Sequence, residues 1–168
     1  MKDIKKLIEL ISKDSNCTVY KPNNELTINR KIPEDLKVFF TLTNGISLFE
    51  NESFGIKIIG KEDFISTNKY LYPKDDVIWE ELENDITNEW FLIAKNEELA
   101  QYISIDLTDK NFGKCYDSFI DTHGEEGMSE IIANNFTELL YNFYQNQGKG
   151  ENWYWINNNF KKIGDAFD

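Results

Sequence analysis

The sequence predicts an α+β protein, a single domain in which helices pack against a mainly antiparallel sheet. Apolar residues recur at helical spacing near both ends of the chain, whereas short strand-like segments occupy the middle. No Gly/Ser-rich linker and no internal repeat divides the 168 residues. This length suits one well-buried core without disulfides or a structural metal. We therefore expect one domain over residues 1–168.

The first predicted helix covers residues 3–13. Asp3 suits the N-cap position, and four apolar residues follow it at helical spacing. They are Ile4, Leu7, Ile8 and Ile11. The next segment, residues 16–29, is polar and rich in turn formers around Pro22, so it predicts a connection to the second helix.

A second helix is predicted between Pro33 and the pair Asn44-Gly45. Proline suits the first helical position, and the acidic pair Glu34-Asp35 lies where the helix dipole favours negative charge. Gly45 can adopt the left-handed conformation that ends a helix. The apolar face repeats at helical spacing and must be buried: Leu36, Phe39, Phe40 and Thr43.

Strands are predicted after this helix, and a last helix follows them. The strand segments are 46–49, 55–59, 91–94, 102–107 and 114–116. The last helix is expected to begin at Ser129 as its N-cap and to end at Gly148 and Gly150. Its apolar face contains Ile132, Phe136, Leu139, Leu140 and Phe143. The tail beyond residue 151 is too aromatic for a disordered extension, so Trp153, Trp155, Ile156 and Phe160 should pack back on the domain.

The net charge excludes several classes of function. Thirty acidic residues against eighteen basic ones give −12, which repels nucleic acid and anionic membranes and favours a cationic partner. Arg30 is the only arginine, so direct DNA or RNA binding is not expected. No apolar run is long enough for a membrane span, and no signal-peptide pattern begins the chain, so we expect a soluble, cytoplasmic protein. Acidity that serves only solubility is the simpler alternative.

The most acidic window, residues 70–88, is the candidate partner-binding site. Its carboxylates would speed encounter with a basic protein, and Trp79 and the neighbouring Trp90 would act as aromatic anchors that slow release. The candidate residues are Asp75, Asp76, Trp79, Glu80, Glu81, Glu83 and Asp85. Alternatively, Trp79 and Leu82 are core residues of a helix whose charges face water, and the sequence leaves both interpretations open.

No motif indicates catalysis, a cofactor or a metal. His123, the one histidine, lies between Asp121 and Glu125, and such a run could bind a metal or act as acid and base. The flanking glycines instead predict a solvated loop. Cys17 and Cys115 are far apart and should be reduced thiols. We therefore expect no catalytic residue, no metal and no cofactor; an enzyme centred on His123 is the minority alternative.

Four patterns in a fixed order resemble a known family. They are the helix from Ile32-Pro33 to Asn44-Gly45, the strand 91–94 ending in Ala, the strand 102–107 ending in Asp-Leu, and the closing helix 132–140 with Phe136 before its leucines. Their order and spacing are similar to those of the Smi1/Knr4, or SUKH, superfamily of small α+β proteins. The resemblance covers about residues 25–145 and leaves an aromatic C-terminal extension, 148–168. The chain differs from many members at residues 95–99, where they have a Gly-rich turn, and at Asn135, where they have serine.

This resemblance implies a bacterial cytoplasmic immunity protein that binds a cognate toxin, often a nuclease, and blocks it. The family has no shared catalytic residues that could be assigned here. Together with the net charge, it implies a basic toxin as the partner and a monomer or weak homodimer as the assembly. Eukaryotic relatives are scaffolding proteins of cell-wall regulation, so a cytoplasmic protein-binding scaffold unrelated to toxins is the alternative.

Overall fold

A seven-stranded antiparallel sheet forms the centre of the protein, whose computed structural model describes residues 3–168. Each strand pairs with the next one along the chain, so the sheet is a meander. The strands are β1 Cys17–Val19, β2 Ile46–Leu48, β3 Ile56–Ile58, β4 Trp90–Asn96, β5 Gln101–Asp106, β6 Cys115–Asp117 and β7 Ile131–Ala133. The predicted α+β class with a mainly antiparallel sheet is confirmed.

Helices cover both faces of the sheet, in unequal amounts. They are α1 Ile4–Ser12, α2 Glu34–Leu42, α3 Thr67–Leu71, α4 Ile78–Glu81 and α5 Phe136–Asn146, with 3-10 turns at Lys61–Asp63, Ile86–Glu89 and Tyr154–Ile156. Alternation along β5 turns Ile103 and Ile105 toward the main core with α1, α2 and α5. Ser104 lies on the other face, where its hydroxyl is 2.8 Å from that of Thr67 in α3.

The first two helices lie where the sequence patterns place them, although α2 begins and ends differently from the prediction. Asp3 caps α1 by accepting a hydrogen bond from the Lys5 amide at 2.9 Å, and the four apolar residues of this helix are buried. Pro33 precedes α2 as its N-cap rather than being its first residue. Helix α2 ends at Leu42 with Thr43 extended as its C-cap, so the expectation that Gly45 ends the helix is wrong. Gly45, with φ +102°, lies instead in the turn before β2, where a Cβ would lie 2.7 Å from the Ile58 carbonyl oxygen.

Two strands of the sheet, β1 and β7, were not predicted from the sequence. The polar stretch 16–29 contains β1, and β7 occupies Ile131–Ala133, where the sequence suggested the start of the last helix. All three residues of β7 are buried, and the Ile131 amide donates to the Gly164 carbonyl at 2.9 Å. Helix α5 instead begins after Asn135, whose side chain accepts from the Glu138 amide at 2.9 Å as an N-cap. Ser129 is therefore not the cap of this helix.

The aromatic tail packs on the domain, as expected, with one exception. The rings of Trp153 and Trp155 are stacked with centroids 5.4 Å apart, and both side chains are buried. The Tyr154 hydroxyl donates to the Ile132 carbonyl at 2.8 Å, which ties the tail to β7. Ile156, by contrast, is exposed.

Candidate functional site

The candidate residues lie on one connection between α3 and β4, residues 73–89, hereafter the acidic segment. It contains α4 and the 3-10 turn Ile86–Glu89. Besides Glu89, five of its carboxylates are exposed: Asp75, Asp76, Glu80, Glu81 and Glu83. Within residues 3–168, none of these five forms an ion pair with a basic side chain. Their negative charge therefore faces solvent without compensation.

The chain's one arginine lies beside this segment but is already engaged. The Arg30 guanidinium pairs with the Glu89 carboxylate and lies 4.1 Å from the centroid of the Phe91 ring. Since this pairing involves only the last acidic residue before β4, it leaves the five exposed carboxylates free to attract a basic partner.

The two tryptophans near the segment differ in accessibility. Trp79 is half-buried, its indole N–H donates to the Pro73 carbonyl at 2.7 Å, and it lines a pocket of about 400 Å³. Trp90 is fully buried, so it cannot contact a partner, and its expected role as a second anchor is wrong. Val77 was missed by sequence reasoning; it is 77% exposed and follows Asp76 directly.

Asp85, the remaining candidate carboxylate, is engaged in local structure. Its Oδ1 accepts hydrogen bonds from the Thr87 amide at 2.8 Å and from the Thr87 hydroxyl at 2.6 Å. This arrangement caps the 3-10 turn before β4. In the structure Asp85 therefore holds the end of the acidic segment, while the five exposed carboxylates form its outer surface.

His123 is buried beneath this segment, so the expectation of a solvated loop is wrong. Its Nε2 lies 2.8 Å from Asn68 Oδ1. The Asn68 amide group donates to the Thr87 hydroxyl at 2.9 Å, which assigns Oδ1 as an acceptor and His123 Nε2 as the donor. Nδ1 is then a buried acceptor without a hydrogen-bond partner in the described part of the chain. Burial lowers the pKa of His123 to about 4, against a smaller opposing effect of Asp85, so the ring is neutral at pH 7.

Asn68, Asp85, Thr87 and His123 form a polar cluster that holds the acidic segment to the domain. Thr87 accepts from Asn68 and donates to Asp85, and Asn68 accepts from His123. Gly124 completes the contact, since with φ +79° a Cβ there would lie 2.8 Å from Thr87 Cγ2. Directional hydrogen bonds thus dock the loop 118–128 against the acidic segment.

The docking extends the negative surface beyond the sequence candidates. The Tyr72 ring lies between the two segments, with its centroid 6.4 Å from that of Trp79 and 6.4 Å from that of His123. Burial, followed by the charges of Asp76 and Glu125, raises the pKa of its hydroxyl. Both carboxylates therefore lie near one phenol group. We call the five exposed carboxylates together with Glu125 the acidic surface. The run around His123 was visible in the sequence, but its proximity to residues 75–83 depends on tertiary structure.

The potential metal-ligating side chains and the thiols of the described residues bear on the sequence expectations about metals and catalysis. Within residues 3–168, no group of three or more His, Cys, Asp or Glu side chains is arranged to hold a metal ion. Burial raises the pKa of Cys17 to about 11 and raises that of the fully buried Cys115 as well, so both thiols stay protonated and unreactive. Over the same residues, no helix has the length and apolar composition needed to cross a membrane.

Comparisons with known proteins agree with the resemblance seen in the sequence. Immunity protein YokJ of Bacillus subtilis (strain 168) is 34% identical over 164 residues, which span 96% of this chain and 94% of the relative. No solved structure matches the chain. The model of the SMI1 / KNR4 family (SUKH-1) matches residues 24–142, which cover most of the chain, including β2 to β7 and most of α5. The chain therefore belongs to the SMI1/KNR4 (SUKH-1) family.

Proposed function

We propose that the protein is an immunity protein, which binds a cognate toxin and neutralises it by covering its active surface. The similarity to a protein named as an immunity protein, extending over nearly the whole of both chains, carries this proposal. The family and this relative also bear out the prediction that the chain is not an enzyme. Occlusion requires a complementary surface and no catalytic group.

The proposed toxin is basic and of the nuclease type. Enzymes that act on nucleic acid need positive charge to contact the phosphate backbone, and a negative surface competes directly for that region. The acidic surface meets this requirement, because its carboxylates are exposed and lack ion-pair partners among residues 3–168. Such charges accelerate diffusional encounter more than they strengthen the final complex.

A kinetic experiment with the toxin domain encoded beside the gene tests the proposal. One variant carries Asp75→Asn, Asp76→Asn, Glu80→Gln and Glu81→Gln. A control variant carries Glu25→Gln, Glu34→Gln, Glu50→Gln and Asp109→Asn, all exposed and outside the acidic segment. Both variants lose four negative charges from the same starting net charge of −12, so only the location differs. Stopped-flow association at several salt concentrations is the measurement.

The acidic-segment variant should associate about tenfold more slowly at low salt and depend less on salt concentration. The control should stay within about twofold of the wild-type rate, because charges distant from an interface are largely screened. Equal slowing of the two variants would place the interface elsewhere. Failure of the wild-type protein to bind or inhibit the toxin would refute the immunity function itself.

A further inference from the structure

A second surface feature lies on the other side of the loop 118–128. A groove of about 630 Å³ runs between this loop, the β4–β5 turn and the C-terminal tail. Phe54 and Trp153 form part of its wall, and their rings meet edge to face with centroids 5.2 Å apart. The groove is thus built on the aromatic packing of the tail, which gives it a rigid base.

Three apolar side chains along the groove face solvent. Leu99 is 41% exposed, and Met128 and Ile156 are each 52% exposed. They come from three separate segments, so the fold groups them. Single exposed apolar residues are ordinary, but a group that lines one concavity marks an interaction site.

The groove also contains two carboxylates in different states. Asp117 is saturated, because it accepts from the Gln101 side chain at 2.6 Å, the Trp155 indole at 2.8 Å and the Phe119 amide at 3.0 Å. Glu130, in contrast, has a buried Oε1 with no hydrogen-bond partner among the described residues. This oxygen is screened from solvent, so a partner's donor reaches it only when the Glu130 side chain turns into the groove, where the new hydrogen bond recovers the free energy that the missing one costs.

The local charge selects the kind of donor. Two acidic residues, Asp117 and Glu130, line the groove against one basic residue. Lys162, from the tail, is the basic residue that lines the groove, and its charge acts on Glu130 without a hydrogen bond between them. A cation on an alkyl stem complements this environment, because the stem can lie on apolar groups while the charged head reaches a carboxylate.

We propose that this groove anchors the toxin by receiving a lysine or arginine side chain, whose alkyl stem packs on Leu99, Met128 and Ile156 and whose charged head donates to Glu130. The inference rests on the proposed function and adds a second contact to it. Thr122, Gly127 and Met128 line the groove, while Glu125 of the same loop belongs to the acidic surface. A partner that covers the loop 118–128 therefore contacts the acidic surface on one side and the groove on the other.

Dissociation kinetics separate the anchor from the steering charges. A variant with Met128→Ser and Ile156→Ser should release the toxin domain about tenfold faster or more, because truncated anchor contacts act mainly on the dissociation rate. Its association rate and salt dependence should match those of the wild type. Glu130→Gln, which keeps the shape but removes the charge, should also speed release. Leu10→Ser is the matched control, since Leu10 is 51% exposed on α1, away from the groove, and it should change neither rate.

Methyl NMR gives a second measurement without substitutions. Met128 is one of only two methionines, the other being Met1, so a methyl-labelled sample gives few signals. The Met128 signal should shift on addition of the toxin domain. Suppose that the wild-type complex forms but the Met128 signal does not shift and the serine variant releases the toxin domain at the wild-type rate. This result would contradict the groove proposal alone and would leave the proposed immunity function intact. Absence of any wild-type complex would overturn both.

Discussion

The two faces of the sheet are held by different kinds of interaction. On one face α2 and α5 meet through aromatic rings, since Phe39 and Phe136 pack edge to face with their centroids 4.8 Å apart. On the other face the acidic segment is held by the polar cluster, in which Asn68 Oδ1 accepts a hydrogen bond from His123 Nε2 at 2.8 Å. One face thus depends chiefly on the large apolar core, whereas the other combines a smaller apolar cluster around Trp90 and Tyr116 with a few directional hydrogen bonds.

This difference separates the determinants of the fold from those of the candidate site. Apolar burial contributes over many contacts and does not depend on the protonation of any group. A buried polar network fails when one member changes its charge or loses its partner. The fold should therefore tolerate acid better than the placement of the acidic surface, and the following predictions sharpen this contrast, from the largest expected effect to the smallest.

Loss of a core ring should have the largest effect on stability. Phe39→Ala should lower the free energy of unfolding by about 3–5 kcal/mol, because it leaves a cavity between α2 and α5. Denaturant titration followed by circular dichroism measures the change. Leu42→Ala in the same helix is the control, since this side chain is exposed, and it should cost below about 1 kcal/mol. Similar losses of unfolding free energy for the two variants would show that the aromatic contact between α2 and α5 is not the main stabilising contact of α2.

The contribution of the polar cluster to the free energy of unfolding should depend on pH. Because His123 has a pKa of about 4 in the folded state against the ordinary 6.5, the unfolded chain binds a proton between these values and the folded chain does not. The stability linked to His123 is complete above pH 6.5, falls as the pH drops and is lost near pH 4. At about 1.4 kcal/mol per pKa unit, the loss is about 3 kcal/mol.

Comparison with His123→Gln isolates this contribution. The carboxyls of Asp117 and Glu130, whose pKa values are raised chiefly by burial, titrate in both proteins and cancel in the difference. Denaturation at pH 7 and at pH 4 should show the wild type losing about 3 kcal/mol relative to the variant. A difference that is the same at both pH values would mean that His123 is not held neutral by burial.

Neutral replacement of exposed carboxylates should have the smallest effect on folding. The variant with Asp75→Asn, Asp76→Asn, Glu80→Gln and Glu81→Gln should change the unfolding free energy by at most about 0.5 kcal/mol per site. Only Asp76 among the four accepts a hydrogen bond, from the Ile78 amide at 3.0 Å, within the described part of the chain. Thermal unfolding measures the effect. A large loss would show that these charges hold the segment in place rather than serve a partner.

Much of the fold could be predicted from local patterns. The caps and apolar faces of α1 and α2 are encoded within a few neighbouring residues, and the alternation in β5 is equally local. β1 and β7 could not be predicted in the same way, because each has three residues and exists through pairing with distant segments. Ile131–Ala133 also continues the helical spacing of α5, so its pattern favoured the wrong element until the pairing with β6 was seen.

Some features of the candidate site could likewise be predicted from the sequence, whereas others depend on tertiary structure. The density of carboxylates at residues 75–85 is a property of composition and was visible directly. The burial of Trp90 and His123 could not be seen in the sequence, because the exposure of a side chain depends on which distant segments pack against it. The groove was equally hidden, since Leu99, Met128 and Ile156 lie on separate segments.

The sequence alone determined the α+β class, the family pattern, the negative charge and the segment that carries most of the exposed carboxylates, because each follows from composition or from spacing within a short window. Tertiary structure decided that Glu125 joins the acidic surface, that His123 supports it from below, and that three apolar residues meet beside Glu130. Those arrangements depend on contacts between residues far apart in the chain, and only the folded sheet brings them together.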